Sequence, residues 1–346
     1  MATPIDKIGF GDLAPTLRIL AKAGINTDHA DWMRGGLDEA NARWLLAAIE
    51  EKMGTEAAQK RAAEDARRIV ILSSGYTGEY ASERCEGPYW TYPARWTPKS
   101  AVERGAILAP HFPGVDFSHV QSLTERYYAS VPTEEPTGGY RAVPKNGRKL
   151  VLAEHADGGL LVVPKLGAAA KCMKKAKKSW HASNIALEYI LGVFKELFPN
   201  FENCLKGQNG PEYMRLLELT AKMLMKLDAE TPGDVLVLPY QAGALFAGYS
   251  VRSSRGHMEA LKLHIPADAF TNICRAISDP ESFENGSLFA DCPGTERAPR
   301  ADGDFCNAPY LYFHDGRFKF DSCYVGYRDR RYGSTSLVLP ASVPSE

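Results

Sequence analysis

Residues 309–340 constrain the fold most, because they carry the signature of a β-hairpin. The runs 310–314 and 317–320 alternate in side-chain character and flank the pair Asp315-Gly316. An Asp-Gly pair between two strand-like runs predicts a two-residue hairpin, since a type I′ turn requires positive φ at both central residues. Residues 337–339 are apolar and predict a short closing strand. The C-terminal part of the chain is therefore expected to be rich in β-structure.

A polar and aromatic segment, residues 321–336, lies between the hairpin and the closing strand. Tyrosine offers a large contact area at low entropic cost and arginine offers forked hydrogen-bond donors, so both are typical of binding loops. The segment predicts a loop whose candidate binding residues are Tyr324, Tyr327, Arg328, Arg330, Arg331 and Tyr332. Its tyrosines are expected to face solvent in one patch. The alternative is a solvated connection that recognises nothing.

The composition indicates a globular protein without a membrane segment. The chain has 346 residues, 45% of them hydrophobic, and a formal net charge of −1. This balance provides no global attraction to nucleic acid or to a membrane, so such a partner would need a local patch. The sequence contains no run of about eighteen apolar residues and no visible signal peptide, so a cytoplasmic location without membrane contact is expected.

The seven cysteines are scattered and include no C-x-x-C pair. Reduced thiols are therefore expected, and the spacing supports neither a disulfide framework nor a zinc knuckle. No cofactor is predicted.

The pattern along the chain predicts an α+β fold in three parts. Residues 1–66 show helical periodicity and predict a small helical unit. Residues 67–204 predict an α+β domain with a basic helix, and residues 205–340 predict a helix followed by the β-rich module. Hairpins are expected to pack on amphipathic helices.

Several elements are predicted individually. Residues 184–198 have a wide apolar stripe and predict a helix closed by Pro199, and the nearly all-apolar run 235–239 predicts a strand buried on both faces. Residues 149–154 and 159–164 predict a second hairpin. Residues 250–255 are polar and are expected to be exposed.

A concentration of lysines marks residues 166–179, which are predicted to form a helix. Lysines three, four and seven positions apart share a helical face, and such a face attracts phosphate. The candidate anion-binding residues are Lys171, Lys174, Lys175 and Lys178. The alternative is a solvated helix end whose lysines complement the helix dipole. Nucleic acid is thus an alternative partner.

The motifs of common catalytic centres are absent. The sequence contains no G-x-S-x-G elbow, phosphate-binding loop or H-E-x-x-H helix, and no catalytic residue is assigned. His257 and His264 could meet near a helix edge, although lone histidines at this spacing are more often surface residues. The acidic residues Asp291, Glu296, Asp302 and Asp304 could supply oxygen ligands for calcium, but their spacing does not match an EF-hand loop and also suits Asx turns. No metal site is predicted.

The C-terminal third resembles a module of multi-copy proteins from uncultivated bacterial lineages. In that module the pattern runs roughly as DCAGDE, DADG-x-F, AP, DGRV-x-F and GSASGFLP. The matching segments are residues 291–296, 301–305, 308–309, 315–317 and 333–336, with residues 232–239 and 250–255 upstream. The resemblance covers about residues 205–340 and implies no activity and no functional residue. The chain departs from the pattern at Pro293, Thr295, Tyr249 and Ser253, which lowers its charge at both places.

Two further resemblances concern the ends of the chain. The N-terminal helical unit resembles a leader-like module that such proteins share in front of differing C-terminal parts. The order of scaffold strand, Tyr- and Arg-containing loop and closing strand resembles the variable ends of C-type-lectin-like binding proteins diversified by retroelements, on composition and position alone.

Three functional hypotheses follow. The first is a non-catalytic recognition protein that presents residues 321–336 to a protein or a glycan. The second is an enzyme of unassigned class with a site in the region 257–304, which would require a pocket with converging polar side chains. The third is nucleic-acid binding through the lysines of residues 171–178.

Overall fold

The structure, a computed structural model, describes residues 78–89, 96–130, 140–145, 148–153, 158–175, 179–262, 264–283, 289–301 and 303–339. Helices and mixed sheets alternate in these residues, and the fold class is α+β, as predicted. The helical unit predicted for residues 1–66 lies outside the described residues. The division of the chain at residues 66 and 204 stays a prediction.

Seven α-helices lie in the described residues. They are α1 (Ala101–Leu108), α2 (Val120–Ser130), α3 (Leu166–Lys171), α4 (Ala182–Leu197), α5 (Glu218–Glu230), α6 (Val251–Leu261) and α7 (Ala269–Ser278), with 3₁₀ turns at Ala109–His111 and Pro280–Phe283. Helix α1 begins with a capping box, in which Ser100 and Glu103 each accept a hydrogen bond from the other's backbone N–H. Helix α4 confirms the helix predicted over residues 184–198, beginning two residues earlier.

The strands form a hairpin and two sheets. They are β1 (Tyr140–Lys145), β2 (Arg148–Ala153), β3 (Leu160–Pro164), β4 (Glu202–Asn203), β5 (Met214–Leu216), β6 (Val235–Gln241), β7 (His264–Pro266), β8 (Phe289–Asp291), β9 (Thr295–Arg297), β10 (Asn307–His314), β11 (Arg317–Tyr324), β12 (Tyr332–Ser334) and β13 (Ser336–Val338). The order β12-β8-β10-β11-β4 forms the larger sheet, with β9 on β10 and β5 on β9. The smaller sheet has the order β3-β6-β13-β7, and β1 pairs with β2.

The predicted C-terminal hairpin is confirmed. Strands β10 and β11 pair antiparallel, with His314 opposite Arg317 at the closed end. Asp315 and Gly316 have φ values of 52° and 73°, the left-handed conformation that a type I′ turn requires at both central residues. The loop predicted over residues 321–336 is wrong at both ends. Strand β11 continues to Tyr324 and so includes residues 321–324, and strands β12 and β13 include most of residues 332–336.

The second predicted hairpin, residues 149–154 with 159–164, is wrong. Strand β3 pairs antiparallel with β6 over its full length, and β2 pairs with β1 instead. Strand β6 is buried at every position, which confirms the predicted strand, and its residues 235–239, which pair with β3, are all apolar. Gly158 packs so close to β6 that a Cβ there would lie 2.6 Å from the Tyr240 ring, so the chain before β3 is committed to this sheet.

One continuous core joins the two sheets to the helices. Ile190 and Phe194 of α4 are fully buried, and the Phe194 ring lies 5.1 Å from the Phe318 ring of β11. Burial of a phenylalanine side chain contributes roughly 1.5–3 kcal/mol to stability, so this contact fixes the larger sheet on α4. Leu311 of β10 and Ile273 of α7 belong to the same core.

A buried ion pair connects α1 to the end of α7. The Arg104 guanidinium donates to Asp279 at 2.8 Å and to the carbonyl oxygen of Leu160 at 3.1 Å. Asp279 also accepts from the Trp96 indole at 3.1 Å. Burial opposes the charge of Asp279, but Arg104 and Trp96 outweigh it and hold the pKa of this carboxyl below its usual value.

A single residue, Thr335, separates β12 of the larger sheet from β13 of the smaller sheet. Its hydroxyl donates to the carbonyl oxygen of Asp291 at 2.9 Å and accepts from the Asn272 amide at 2.8 Å. Its carbonyl oxygen accepts from the N–H of Ala267 at 3.1 Å. The chain therefore passes from the larger sheet to the smaller one through Thr335, which is hydrogen-bonded to β8 at Asp291 and to the residue that follows β7, Ala267.

Candidate recognition surface

The strand β10 gives the larger sheet two different faces. Side chains alternate across a strand, so Leu311 and Phe313 point to one face and Tyr310 and Tyr312 to the other. Leu311 and Phe313 pack in or against the main core. Tyr310 and Tyr312 instead form a separate cluster on the opposite face, which is the base of the candidate site.

An aromatic layer covers this opposite face. The Phe289 ring lies between Tyr312, at 4.3 Å and 17°, and Tyr332, at 4.7 Å and 20°. Tyr310 and Tyr332 share a side-chain hydrogen bond, and burial raises the pKa of both phenols. Stacked and edge-on aromatic pairs add about 0.5–1.5 kcal/mol each beyond the area that they bury. The layer is therefore a firm support for what lies above it.

Tyr332 belongs to this support, and its predicted exposure to solvent is wrong. Only 8% of the residue is accessible, because β12 pairs parallel with β8 and places Tyr332 beside Phe289. Local sequence could not show this, since the pairing partner lies more than forty residues earlier in the chain.

The chain between β11 and β12, residues 325–331, is held by backbone hydrogen bonds. The Val325 N–H donates to the carbonyl oxygen of Cys306 at 2.9 Å, and the Val325 carbonyl oxygen accepts from the backbone N–H of Arg252 at 2.9 Å. At the other end, the Arg331 carbonyl oxygen accepts from Phe289 at 2.9 Å. Val325 is buried against Val251, which anchors the turn from below. The backbone of this loop is therefore fixed independently of its outward side chains.

Two tyrosine side chains of the loop are exposed, as predicted. Tyr324 is 51% accessible and Tyr327 is 46% accessible. The Tyr327 N–H donates to the Tyr324 carbonyl oxygen at 2.9 Å, and the Tyr327 ring stands edge-on to Tyr332 at 5.5 Å. Large apolar side chains on a fixed backbone lose little entropy when they contact a partner, so these two rings are suited to binding.

Arg252 clamps one side of the loop. Its guanidinium forms two hydrogen bonds with Glu83, lies 3.7 Å from the Tyr80 ring centre and donates to the Tyr324 hydroxyl at 3.4 Å. Ser250 also donates to Glu83. Burial opposes the charge of Glu83, but the hydrogen bonds from Arg252 and Ser250 outweigh it and lower the pKa of this carboxyl. The hydrogen bonds to Glu83 and Tyr324 raise the pKa of Arg252.

The segment that carries Arg252 was expected to be exposed, and that expectation is wrong. Ser250 caps the N-terminus of α6 by accepting from the Ser253 N–H, and Ser253 and Ser254 are fully buried. The small polar side chains fit where the first turn of α6 packs against the remainder of the molecule. Sequence reasoning therefore missed Arg252 and Glu83 as members of the site.

Three further arginines follow Tyr327. Arg331 pairs with Asp329 at 3.1 Å, and its guanidinium lies 5.0 Å from the Phe289 ring centre. Arg328 and Arg330 are exposed, and in the described part of the chain neither has a hydrogen bond or a carboxylate within ion-pairing distance. The binding patch is defined here as Tyr80, Glu83, Arg252, Tyr324, Tyr327, Arg328, Asp329, Arg330 and Arg331.

The basic helix predicted over residues 166–179 is confirmed only for residues 166–171 and is wrong for residues 172–175. Helix α3 ends at Lys171, and the chain turns at Cys172 and again at residues 174–175. Lys171, Lys174 and Lys175 are exposed but do not share a helical face, and Lys178 lies outside the described residues. Repulsion between like charges three and four positions apart disfavours a longer helix here. Nucleic-acid binding through these lysines stays a prediction without its helical support.

The predicted acidic loop is divided between different structures. Asp291 is buried in β8, where burial raises the pKa of its carboxyl to about 8. Glu296 in β9 pairs with Arg215 at 2.8 Å, Asp304 is exposed, and Asp302 lies outside the described residues. Across the described ranges, no three acidic, cysteine or histidine residues are arranged to hold a metal ion.

The two histidines are buried in different places. His257 lies in α6 with its ring 5.1 Å from that of Tyr249, and burial lowers the pKa of His257 to about 4. His264 lies in β7, and its Nδ1 is 2.8 Å from the Ser336 hydroxyl. The expected surface positions are therefore wrong for both residues.

Two cavities lie away from the patch. An open polar cavity of about 530 Å³ lies between the end of α4 and the tip of the β10–β11 hairpin, and is lined by Lys195, Pro199, Asn200, Phe201, Glu202, Asp315, Gly316 and Arg317. A second, of about 10 Å³, is lined in part by Asn184, whose buried side-chain oxygen has no hydrogen-bond partner in the described structure. That volume and that oxygen suit one water molecule. Neither cavity is lined by His257 or His264.

Comparisons with known proteins found no match among family descriptions, among curated proteins or among solved structures. The resemblance to multi-copy proteins of uncultivated bacteria therefore stays a prediction. None of the helices in the described ranges has the length and apolar character needed to cross a membrane.

Proposed function

We propose that this protein is a non-catalytic recognition protein that binds a partner through the patch around Tyr324 and Tyr327. The observation that carries the proposal is the exposure of these two rings on a loop whose backbone is anchored at both ends. Tyrosine and arginine are the residue types enriched at the energetic centres of protein interfaces. The patch combines both types.

The construction beneath the patch supports this function. Outward side chains of the loop rest on the layer of Phe289, Tyr312 and Tyr332, whose rings are mutually stacked. Because the support is rigid, contact with a partner costs little ordering entropy, and more of the interaction energy is available as affinity. Arg252 adds a guanidinium whose position is set by Glu83 and Tyr80.

Two parallel screens of the full chain test the proposal. A random peptide display library and a glycan array cover both partner classes, and the wild type is compared with Tyr324→Ala/Tyr327→Ala. The matched control is Val102→Ala/Met225→Ala, which truncates two other exposed apolar side chains, 45% and 73% accessible.

The wild type and the control are expected to retain the same ligands, and the tyrosine variant should bind them at least about tenfold more weakly, as truncation at an interface centre usually does. Far-UV circular dichroism and the thermal midpoint verify that each variant is folded. If every ligand found by the wild type also binds the tyrosine variant equally well, the patch is not a recognition site.

A further inference from the structure

We infer that the partner is a polypeptide segment with two neighbouring carboxylates, which Arg328 and Arg330 bind on the same loop as the exposed rings of Tyr324 and Tyr327. This inference rests on the proposed function and specifies the chemistry of its ligand. The inference has three grounds. The patch carries an excess of positive charge, two of its four arginines are already in ion pairs, and the other two are not.

The patch is positive although the chain is nearly neutral. Its charged groups are four guanidinium groups and two carboxylates, which leaves an excess of two positive charges against a net charge of −1 for the whole chain. The members are Arg252, Arg328, Arg330 and Arg331 on one side and Glu83 and Asp329 on the other. A local excess of this sign favours a negatively charged partner.

Two of the four arginines are already engaged. Arg252 is held by Glu83 and Arg331 by Asp329. Arg328 and Arg330 are exposed and form no hydrogen bond or close ion pair in the described residues, although the Arg328 charge acts on Glu83 and the Arg330 charge on Asp329 at longer range. They lie two positions apart, and a guanidinium group binds a carboxylate through two parallel hydrogen bonds. A segment with two carboxylates at similar spacing therefore matches these two groups.

The small number of arginines without a close ion pair argues against a polyanion as the partner. Nucleic acids gain affinity from many phosphate contacts, commonly about six to ten in a site. The patch offers two arginines that form no close ion pair, and Glu83 and Asp329 would repel a dense row of phosphates or sulfates. A neutral glycan would leave both arginines without a charged partner. Tyr324 and Tyr327 instead provide the apolar contact that accompanies charged groups at protein interfaces.

Fluorescence anisotropy with two pools of labelled dodecapeptides tests the inference on the full chain. One pool carries Glu-x-Glu at its centre and the other Gln-x-Gln, with all remaining positions randomised identically. The wild type is expected to bind the acidic pool about tenfold more tightly at low salt, and to lose most of this preference at high salt because the ion pairs are exposed.

Arg328→Gln/Arg330→Gln should remove the preference for the acidic pool. The matched control, Lys206→Gln/Arg300→Gln, removes two exposed positive charges elsewhere and should retain it. In the reversed variant Arg328→Glu/Arg330→Glu, a Lys-x-Lys pool should become the preferred one. All substitutions lie at exposed positions, and circular dichroism confirms folding.

Three outcomes overturn the inference. The first is that the preference for acidic peptides persists in Arg328→Gln/Arg330→Gln. The second is that the wild type shows no such preference. The third is that a single-stranded oligonucleotide or a heparin fragment binds through the same arginines more tightly than the acidic pool. If ligands that depend on Tyr324 and Tyr327 are found but are neutral or basic, the proposed function stands and this inference fails. If no ligand depends on the tyrosines, both fail.

Discussion

Substitution of the buried carboxyl Asp291 by asparagine should change how stability depends on pH. Asp291 lies in β8 and is 3% accessible. Its side chain accepts one long hydrogen bond, 3.4 Å from the Ser334 hydroxyl. The nearby Arg255 guanidinium is directed to the carbonyl oxygens of Pro293 and Thr295. Burial therefore prevails over Ser334 and Arg255 and raises the pKa of Asp291 to about 8.

The sign of the effect follows from proton binding. In the unfolded chain the carboxyl has an ordinary pKa of about 3.9. Between about pH 4 and pH 8 the folded state keeps a proton on Asp291 that the unfolded state has lost, so stability falls as pH rises. The full contribution is present below pH 4 and is lost as pH rises through 8. Each pH unit in this window is worth about 1.4 kcal/mol, or about 4 kcal/mol between pH 4 and pH 7.

Asparagine has nearly the same shape, accepts from Ser334 and does not titrate. Asp291→Asn should therefore be more stable than the wild type at pH 7, by up to about 4 kcal/mol, and should match it near pH 4. Urea unfolding at each pH unit from 4 to 8 measures this directly, with Glu259→Gln, an exposed acid on α6, as the matched control.

The control should keep the wild-type dependence on pH. If Asp291→Asn keeps it too, or is less stable than the wild type at pH 7, then Asp291 is ionised in the fold and paired with Arg255. The assignment of a neutral buried carboxyl would then be wrong.

Three further predictions concern the scaffold and the loop. Asp279→Asn leaves the buried Arg104 charge without its carboxylate and should lower the free energy of unfolding by roughly 3–5 kcal/mol in urea titrations. Gly326→Ala places a Cβ 2.9 Å from the Arg252 guanidinium; it should weaken binding of any ligand that depends on the tyrosines while changing the thermal midpoint little. Asp315→Val puts a β-branched residue at a φ of 52° and should cost about 1–2 kcal/mol, whereas Asp315→Gly should not.

The parts of the fold that the sequence predicted correctly depend on local rules. The hairpin follows from two residues that tolerate positive φ, Asp315 and Gly316. Helix α4 follows from a 3.6-residue period, and β6 from an apolar run with no polar face. Each of these signals is complete within a stretch shorter than twenty residues.

The missed features depend on distant pairing. Tyr332 is buried because β12 pairs with β8, and Arg252 joins the patch because Glu83, 169 residues earlier, is its partner. No local pattern encodes either contact. One signal was present, however: the alternation of β10 already separates Tyr310 and Tyr312 from Leu311, and it indicates a second aromatic face.

The passage of the chain through Thr335 has a consequence for local opening. Strand β12 belongs to the larger sheet and β13 to the smaller one, and Thr335 is bonded to Asp291, Asn272 and Ala267. The C-terminal end of the patch loop therefore cannot detach without breaking contacts in both sheets. Loops usually exchange amide hydrogens through low-energy openings. Here the amide of Thr335, which donates to the carbonyl oxygen of Asp291 at 3.4 Å, should exchange only when the two sheets unfold together, so the end of the loop and the core share one free energy of opening.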